Sequence, residues 1–334
     1  MGKLKSNYNF TPLKGYENFE ATTQIIINEI IKRGLPFEII DENNNLIAVE
    51  HNGRKYTILE GTISDANSLI AYWISNDKWM TKQFLERSSI NFAKGVLVNK
   101  GESIDKIKIP KFPLVVKPAD TDHGLGVSTA INSNDDLIYA LDRAFALSDR
   151  AIVEEYYIGK EYRFLVIDGV TRAIIYREPA NIVGDGKSTI GELINEKNRG
   201  RGDDYRHPLL KIVIDDEVER HLKNQSLTID SVLNKGDKIY LRKNSNLSTG
   251  GDSIDYTDII PDAYKKIAEK ASKALGLNIA GVDIIISDYN EEPNSNNHII
   301  IELNAPAMLS MHNYPYIGQN RNVEKYVLDS ILNS

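Results

Sequence analysis

Asp283 lies in the run GVDIIIS, and Glu302 and Asn304 lie in IIIELNAP, so oxygen-bearing side chains interrupt two stretches otherwise apolar enough to be buried. A carboxylate buried without a partner is costly, and each of these needs a cation or strong donors. Glu302 and Asn304 are two apart, which in a strand puts both on one face. If the two runs pair antiparallel, all three side chains converge on one hard cation. Magnesium suits the set, because it prefers oxygen ligands and keeps waters and phosphates in its shell. An ion pair with a Lys or Arg from elsewhere in the chain would satisfy the same carboxylates.

Lys117 closes the apolar run FPLVVKP and is followed by ADTDHGLGVS. A lysine delivered by a buried strand to a glycine-containing loop reaches phosphate oxygens, while backbone N–H groups around Gly124 and Gly126 cover a polyphosphate. Gly-x-Gly by itself also occurs in ordinary turns. The spacing is not that of a Walker loop, and no Gly-x-Gly-x-x-Gly opens a helix after an early strand, which disfavours a Rossmann dinucleotide domain. In AIVEEYYIGKEYRFLV, Glu154 and Glu161 flank a tyrosine-rich apolar run. Such carboxylates accept hydrogen bonds from an amino group and a ribose hydroxyl, or simply mark a solvated strand end. Arg242 begins a donor-rich stretch, RKNSNLSTGGDSID, suited to an anion or to a plain polar loop. The histidines lack metal-ligand spacing, and only His123 and His312 stand where a substrate contact is expected.

The elements that must carry these residues can be read from periodicity. Ile26, Ile27, Ile30 and Ile31 mark a helix ending at Gly34. FEII, LIAVEH and RKYTILE read as strands, the last two turning at Asn52-Gly53. A helix over 77–87 leads to strand 112–118, and a helix over 134–147 takes Asn134 as its N-cap. AIVEEYY, EYRFLVIDG and TRAIIYRE are strands, the last two joined as a hairpin through Asp168-Gly169. Residues 181–236, with scattered glycines and a short helix near 189–198, form an inserted excursion before strand KIYLR. Helix 261–275, with Pro261 in its first turn, precedes AGVDIIIS and HIIIELN.

A length of 334 residues favours more than one core. The reading is α+β, with an N-terminal α+β unit over 1–76, a small lobe over 77–150 and a large lobe over 151–334. A net charge of −7 argues against nucleic-acid and basic membrane-surface partners, though a local basic pocket for a small anion is compatible with it. Cys 0 removes disulfides, zinc thiolates and thiol nucleophiles, and suits a reducing cytosol. With no signal-peptide core and no long apolar run, the expectation is a soluble cytoplasmic protein. Met1-Gly2 with Ser6 is only a chance-level match to a lipidation pattern.

The order of Lys, Gly loop, Glu hinge, Arg loop and Asp…Glu-x-Asn resembles the ATP-grasp superfamily. From about Gly15 onward, TKQFLE, FPLVVKPADTDHGLGVS, VEEYYIGKEYRFLVIDG, ANIVGDGKSTIGELI, LRKNSNLSTGGDSIDYTD and ELNAPAMLSMHNYPYIG are similar to the synthetase half of bifunctional glutathione-forming enzymes. Several stretches are also similar to cyanophycin synthetase. The resemblance implies two α+β lobes clasping ATP and formation of an amide bond through an acylphosphate. It implies that Lys82 and Lys117 hold ATP phosphates and that Glu154 and Glu161 contact adenine and ribose. Asp283, Glu302 and Asn304 would bind magnesium, expected as two ions with manganese as a substitute. Arg242 would steady the transferred phosphate, the MHNYPYIG segment would line the substrate side, and the relatives' habits make a homodimer the expectation. The substrates expected are γ-glutamylcysteine and glycine, the dipeptide coming from a separate enzyme because no ligase half precedes the synthetase-like region. Another amino-acid or dipeptide ligase, or an ATP-binding regulatory module without turnover, are the other readings.

Overall fold

In a computed structural model, which describes residues 6–104, 107–121 and 124–334, the periodic segments fold as helices and antiparallel strands. Met1-Gly2 of the lipidation match and His123 lie outside the described residues. Helix α1 (Ala21–Lys32) precedes strands β1 (Phe37–Asp41), β2 (Leu46–His51) and β3 (Arg54–Leu59). Helices α2 (Leu69–Asn76) and α3 (Lys78–Arg87) lead to β4 (Gly95–Asn99), β5 (Leu114–Pro118) and β6 (Ser128–Ile131). After α4 (Asn134–Phe145) come β7 (Arg150–Glu155), β8 (Lys160–Ile167), β9 (Val170–Glu178) and β10 (Asn181–Val183). Helices α5 (Ile190–Lys197) and α6 (Asp216–Lys223) are followed by β11 (Lys238–Tyr240) and β12 (Asp252–Asp255). The chain ends with α7 (Asp262–Leu275), β13 (Ile279–Ile286), β14 (His298–Asn304), α8 (Ser310–Asn313) and α9 (Glu324–Leu332).

These elements group into two compact units, each drawn from separated stretches of chain. The first comprises residues up to Ala66, Arg172–Ile259 and Pro306–Ser334; the second comprises Asn67–Thr171 and Ile260–Ala305. The division at residues 76 and 150 follows sequence order, whereas this grouping follows packing.

In the first unit, α1 buries Ile26, Ile27 and Ile30 and packs beside α9. Strands β1, β2 and β3 form an antiparallel sheet in that order, with Asn52 and Gly53 at positive φ in the β2–β3 turn. Most of β9 also belongs here and pairs antiparallel with β12. The excursion leaves at β10 and returns at β11, its antiparallel partner. Between them Ile182, Ile190, Ile194, Val218, Leu222 and Leu241 close into an apolar cluster, so this glycine-rich stretch has a core of its own. A capping box, Thr189 with Glu192, starts α5.

The second unit holds a four-stranded antiparallel sheet in the order β4-β7-β5-β6 and the antiparallel run β8-β13-β14. Helix α4 packs Leu137, Ala140, Leu141 and Ala144 into the core under the four-stranded sheet. Its cap is Ser133, not Asn134: the Ser133 hydroxyl accepts from Asp136 N, which makes Asn134 the first helical residue. Pro261 likewise stands just before α7 rather than within its first turn. Among the described residues, no helix is long and apolar enough to cross a membrane.

Candidate active site

The candidate phosphate, nucleotide and metal residues belong to the second unit, whereas Arg242 and the substrate-side candidate His312 belong to the first. In the β5–β7 pair, Val115 is opposite Glu154 and Lys117 opposite Ile152, so Lys117 and Glu154 are diagonal neighbours on one face. Lys82 reaches the same carboxylate from α3. Lys117 Nζ lies 2.8 Å from Glu154 Oε1 and Lys82 Nζ lies 2.6 Å from Glu154 Oε2. All three residues are at most 4% exposed, so this is a buried triad of two ammonium groups on one carboxylate. Gly95 makes room for it: a Cβ there would stand 2.5 Å from Val153 O and 2.7 Å from Glu154 Cβ. Burial would raise the Glu154 carboxyl, but the two lysines overcome it and hold the carboxyl below its ordinary value.

Lys82 responds in the opposite sense. Burial, reinforced by the neighbouring Lys117 charge and only partly offset by Glu154, pushes its ammonium down to about 8 from 10.5. Between those values the unfolded chain holds more protons, so stability from this group rises with pH across the window and its penalty is fully present below about pH 8. Thermal midpoints of the wild-type chain should therefore climb relative to those of Lys82→Met between about pH 8 and 10. A flat difference would mean that Lys82 keeps an ordinary ammonium.

The second cluster is a row across three strands. Arg163 on β8 is opposite Asp283 on β13, which is opposite Glu302 on β14, and opposite residues share a face. Arg163 grips Asp283 with two nitrogens: Nε donates to Oδ1, and Nη2 donates to Oδ2 at 2.7 Å. Its Nη2 also lies 3.9 Å from Glu302 Oε1. Burial alone would favour a neutral guanidine, but Asp283, Glu302 and Glu161 together raise the Arg163 pKa. Glu161, two residues before Arg163 on β8, thus faces this cluster. Asn304 Nδ2 donates to Glu302 Oε1 at 3.2 Å. A bulge just beyond the Asp283–Glu302 pair interrupts the β13–β14 ladder. Burial would raise Glu302, yet Lys78 and Arg163, with smaller contributions from a hydrogen bond to Asp283 and from Lys117, draw its carboxyl down to about 2.

Backbone joins the two clusters. Lys82 Nζ donates to Ala93 O at 2.5 Å, and Ala93 N donates to Ile300 O on β14 at 3.4 Å, two residues before Glu302. Among the described residues, no group of three His, Cys, Asp or Glu side chains could hold a metal. Asp283, Glu302 and Asn304 provide two carboxylates and an amide instead. That donor chemistry fits a hard cation whose remaining ligands are water and phosphate oxygen, provided Asp283 is shared with Arg163.

Gly124 and Gly126 both have φ of 74°, and a Cβ on Gly126 would stand 2.9 Å from Pro118 Cγ and from Leu147 Cδ1. Lys78, the first residue of α3, donates to Thr121 O, and Thr121 Oγ1 donates to Leu125 O at 3.1 Å, so the loop is tethered from α3. Arg242 belongs to the first unit and is 4% exposed. Its Nη1 donates to Glu217 Oε2 and its Nη2 to Asp215 Oδ2, each at 2.5 Å. His312 is buried in α8, also in the first unit.

Sequence reasoning missed Lys78 and Arg163. Arg163 had a signal, since it is two residues from Glu161 and so on its face of the strand. Its partner lies 120 residues away, and only the β8–β13 register brings them together.

Comparison with known proteins gives a consistent kinship. A family profile described as an ATP-grasp-like domain matches residues 17–70, and one described as the D-ala D-ala ligase C-terminus matches residues 98–236. The glutathione biosynthesis bifunctional protein GshAB of Clostridium perfringens is 41% identical over 330 residues, covering 96% of this chain and 42% of the relative. The protein of the same name from Desulfotalea psychrophila is 34% identical, covering 95% of this chain and 42% of the relative. The crystal structure of a bifunctional glutathione synthetase from Pasteurella multocida superposes with a TM-score of 0.76 at 34% identity, covering 96% of this chain and 45% of that one. This chain thus spans less than half the length of these relatives. With this likeness along nearly all of its own length, and with antiparallel α+β architecture to match, the chain has the ATP-grasp fold.

Proposed function

We propose that this chain is an ADP-forming carboxylate–amine ligase, and specifically that it joins γ-glutamylcysteine to glycine to make glutathione. The observation that carries the reading is the pairing, within one unit, of the Lys82–Glu154–Lys117 triad with the Asp283, Glu302 and Asn304 set. Positive charge and oxygen ligands are what a polyphosphate needs on its two sides.

In the reaction, a carboxylate oxygen of the dipeptide attacks the γ-phosphorus of ATP, and the bond from that phosphorus to the oxygen bridging to ADP breaks. The resulting acylphosphate has a good leaving group. The amine of glycine then attacks the acyl carbon, the carbon–oxygen bond to phosphate breaks, and the nitrogen sheds a proton. Lys82 and Lys117 neutralise phosphate oxygens, with Glu154 fixing both ammonium groups. Glu154 and Glu161 are the assigned contacts to adenine and ribose, and Arg242 steadies the transferred phosphoryl group. The loop with Gly124 and Gly126 covers the phosphates and keeps water from the acylphosphate. Asp283, Glu302 and Asn304 would hold magnesium, two ions in this reading with manganese as substitute, and the bound metal supplies charge neutralisation at the phosphate oxygens. No protein nucleophile is required, in keeping with Cys 0.

The setting we assign is a cytoplasmic homodimer, which a sizing column checks. The activity test supplies purified protein with Mg-ATP and a panel of carboxylate and amine substrates. ADP release only when both are present, with a product of the mass of glutathione, is the expected result. Turnover confined to other pairs would move the chain to another amino-acid or dipeptide ligation, cyanophycin-type elongation included. Binding of ATP without turnover on any pair would make it a regulatory module.

A further inference from the structure

The environment of Arg242 is unusual for a residue assigned to receive phosphate. Both terminal nitrogens of its guanidinium are committed to carboxylates, Asp215 and Glu217, at 2.5 Å each, and Nη2 also faces Val213 O at 3.4 Å. The three partners differ sharply in exposure: the Arg242 side chain is 4% exposed, those of Asp215 and Glu217 are 45% and 50% exposed. The helix that bears these carboxylates is also held in place. Asp215 caps α6, accepting from Val218 N, and Val218 and Leu222 anchor that helix in the apolar cluster beneath it. Leu241, next to Arg242, lies in the same cluster. Arg242 and the first turn of α6 are therefore pinned to one core.

We infer that Asp215 and Glu217 are positioning residues that form a displaceable clamp on Arg242, holding its guanidinium aligned until a phosphate oxygen takes their place. The inference rests on the ligase reading in assigning phosphate to Arg242. Its physical basis is the asymmetry of exposure. A buried guanidinium needs an anion at all times, because desolvation without a partner is costly. The half-exposed carboxylates, once released, are hydrated by bulk water, so exchange costs little on their side. The same exchange sets a toll on phosphate affinity, which favours departure of the product. A guanidinium fork accepts either partner in the same two-nitrogen geometry, so Arg242 need not move far when the anion changes.

The test is to titrate inorganic phosphate, by calorimetry and by product inhibition of ADP release, against wild type, Asp215→Asn/Glu217→Gln and Glu219→Gln. Asn still caps α6. The double variant should bind phosphate at least about fivefold more tightly than wild type, because the competing charges are gone. Glu219→Gln, on the same helix, should match wild type. Equal or weaker phosphate affinity in a folded double variant overturns the clamp. Should that variant fail to fold, Glu217→Gln alone leaves the cap intact and must shift affinity in the same direction. A wild-type chain that releases no ADP with any substrate pair sinks the ligase reading, whereas an active enzyme whose phosphate affinity ignores Asp215 and Glu217 sinks only the clamp.

Discussion

Glu154→Ala should cost the chain about 3–5 kcal/mol of stability, more than a side-chain truncation at most other positions would. The wild-type carboxylate neutralises two ammonium groups in a setting where none of the three is more than 4% exposed. Removing it leaves Lys82 with the carbonyl of Ala93 and Lys117 beside a second positive charge. Both lysines then either stay charged without a counter-ion or release protons at neutral pH, and either outcome is paid in stability. A drop in the urea or thermal unfolding midpoint of the expected size checks this. The companion variant Lys82→Met/Glu154→Leu/Lys117→Met replaces the whole triad with apolar groups of similar bulk, and it should recover most of the loss. If Glu154→Ala unfolds within about 0.5 kcal/mol of wild type, the triad is not a stability element and water reaches the lysines freely.

The parts of this site that could be read from sequence are those whose chemistry disrupts a local pattern. Lys117 and Asp283 stand out because each interrupts an apolar strand, and burial then demands a partner. What could not be read is which partner. The sequence left Asp283 open between a cation and an Arg or Lys, and Arg163 is found gripping it, because β13 pairs with β8 as well as with β14. Glu154 shows the same limit. Its place at a strand end was clear, but the convergence of a helix lysine and a strand lysine on it depends on packing between α3 and the four-stranded sheet.

The fold divides along similar lines. Segments with clean alternation, such as LIAVEH and RKYTILE, became β2 and β3 as expected, with their turn at Asn52-Gly53. Helix α2, LIAYWISN, was missed because Leu69, Ile70 and Trp73 are exposed while Ala71, Ile74 and Ser75 are buried, which inverts the usual amphipathic signal. Residues 181–236 looked irregular because their apolar residues are spread over two short helices and several turns. Their cluster becomes visible only when Ile182, Ile194, Leu222 and Leu241 meet.

Asp283→Asn should reduce turnover by at least about a hundredfold, the scale expected when one charged group is lost from a site that stabilises phosphoryl transfer. The same substitution weakens the two-nitrogen grip of Arg163, so a fall in activity alone cannot distinguish a cation ligand from a structural ion pair. The variant Arg163→Gln/Asp283→Asn separates the two. It removes both charges, and the amides can still hydrogen-bond across β8 and β13, so stability lost in Asp283→Asn should largely return. Turnover should not return if Asp283 also serves a cation with Glu302 and Asn304, and the magnesium concentration for half-maximal ADP release should remain raised. Recovery of both stability and turnover would mean that Asp283 exists to satisfy Arg163, leaving Glu302 as the sole carboxylate of the set. Glu302 favours the first outcome: its contacts to Arg163 at 3.9 Å and to Asn304 Nδ2 at 3.2 Å both fall on Oε1, and a carboxylate has further lone pairs with which to serve a cation.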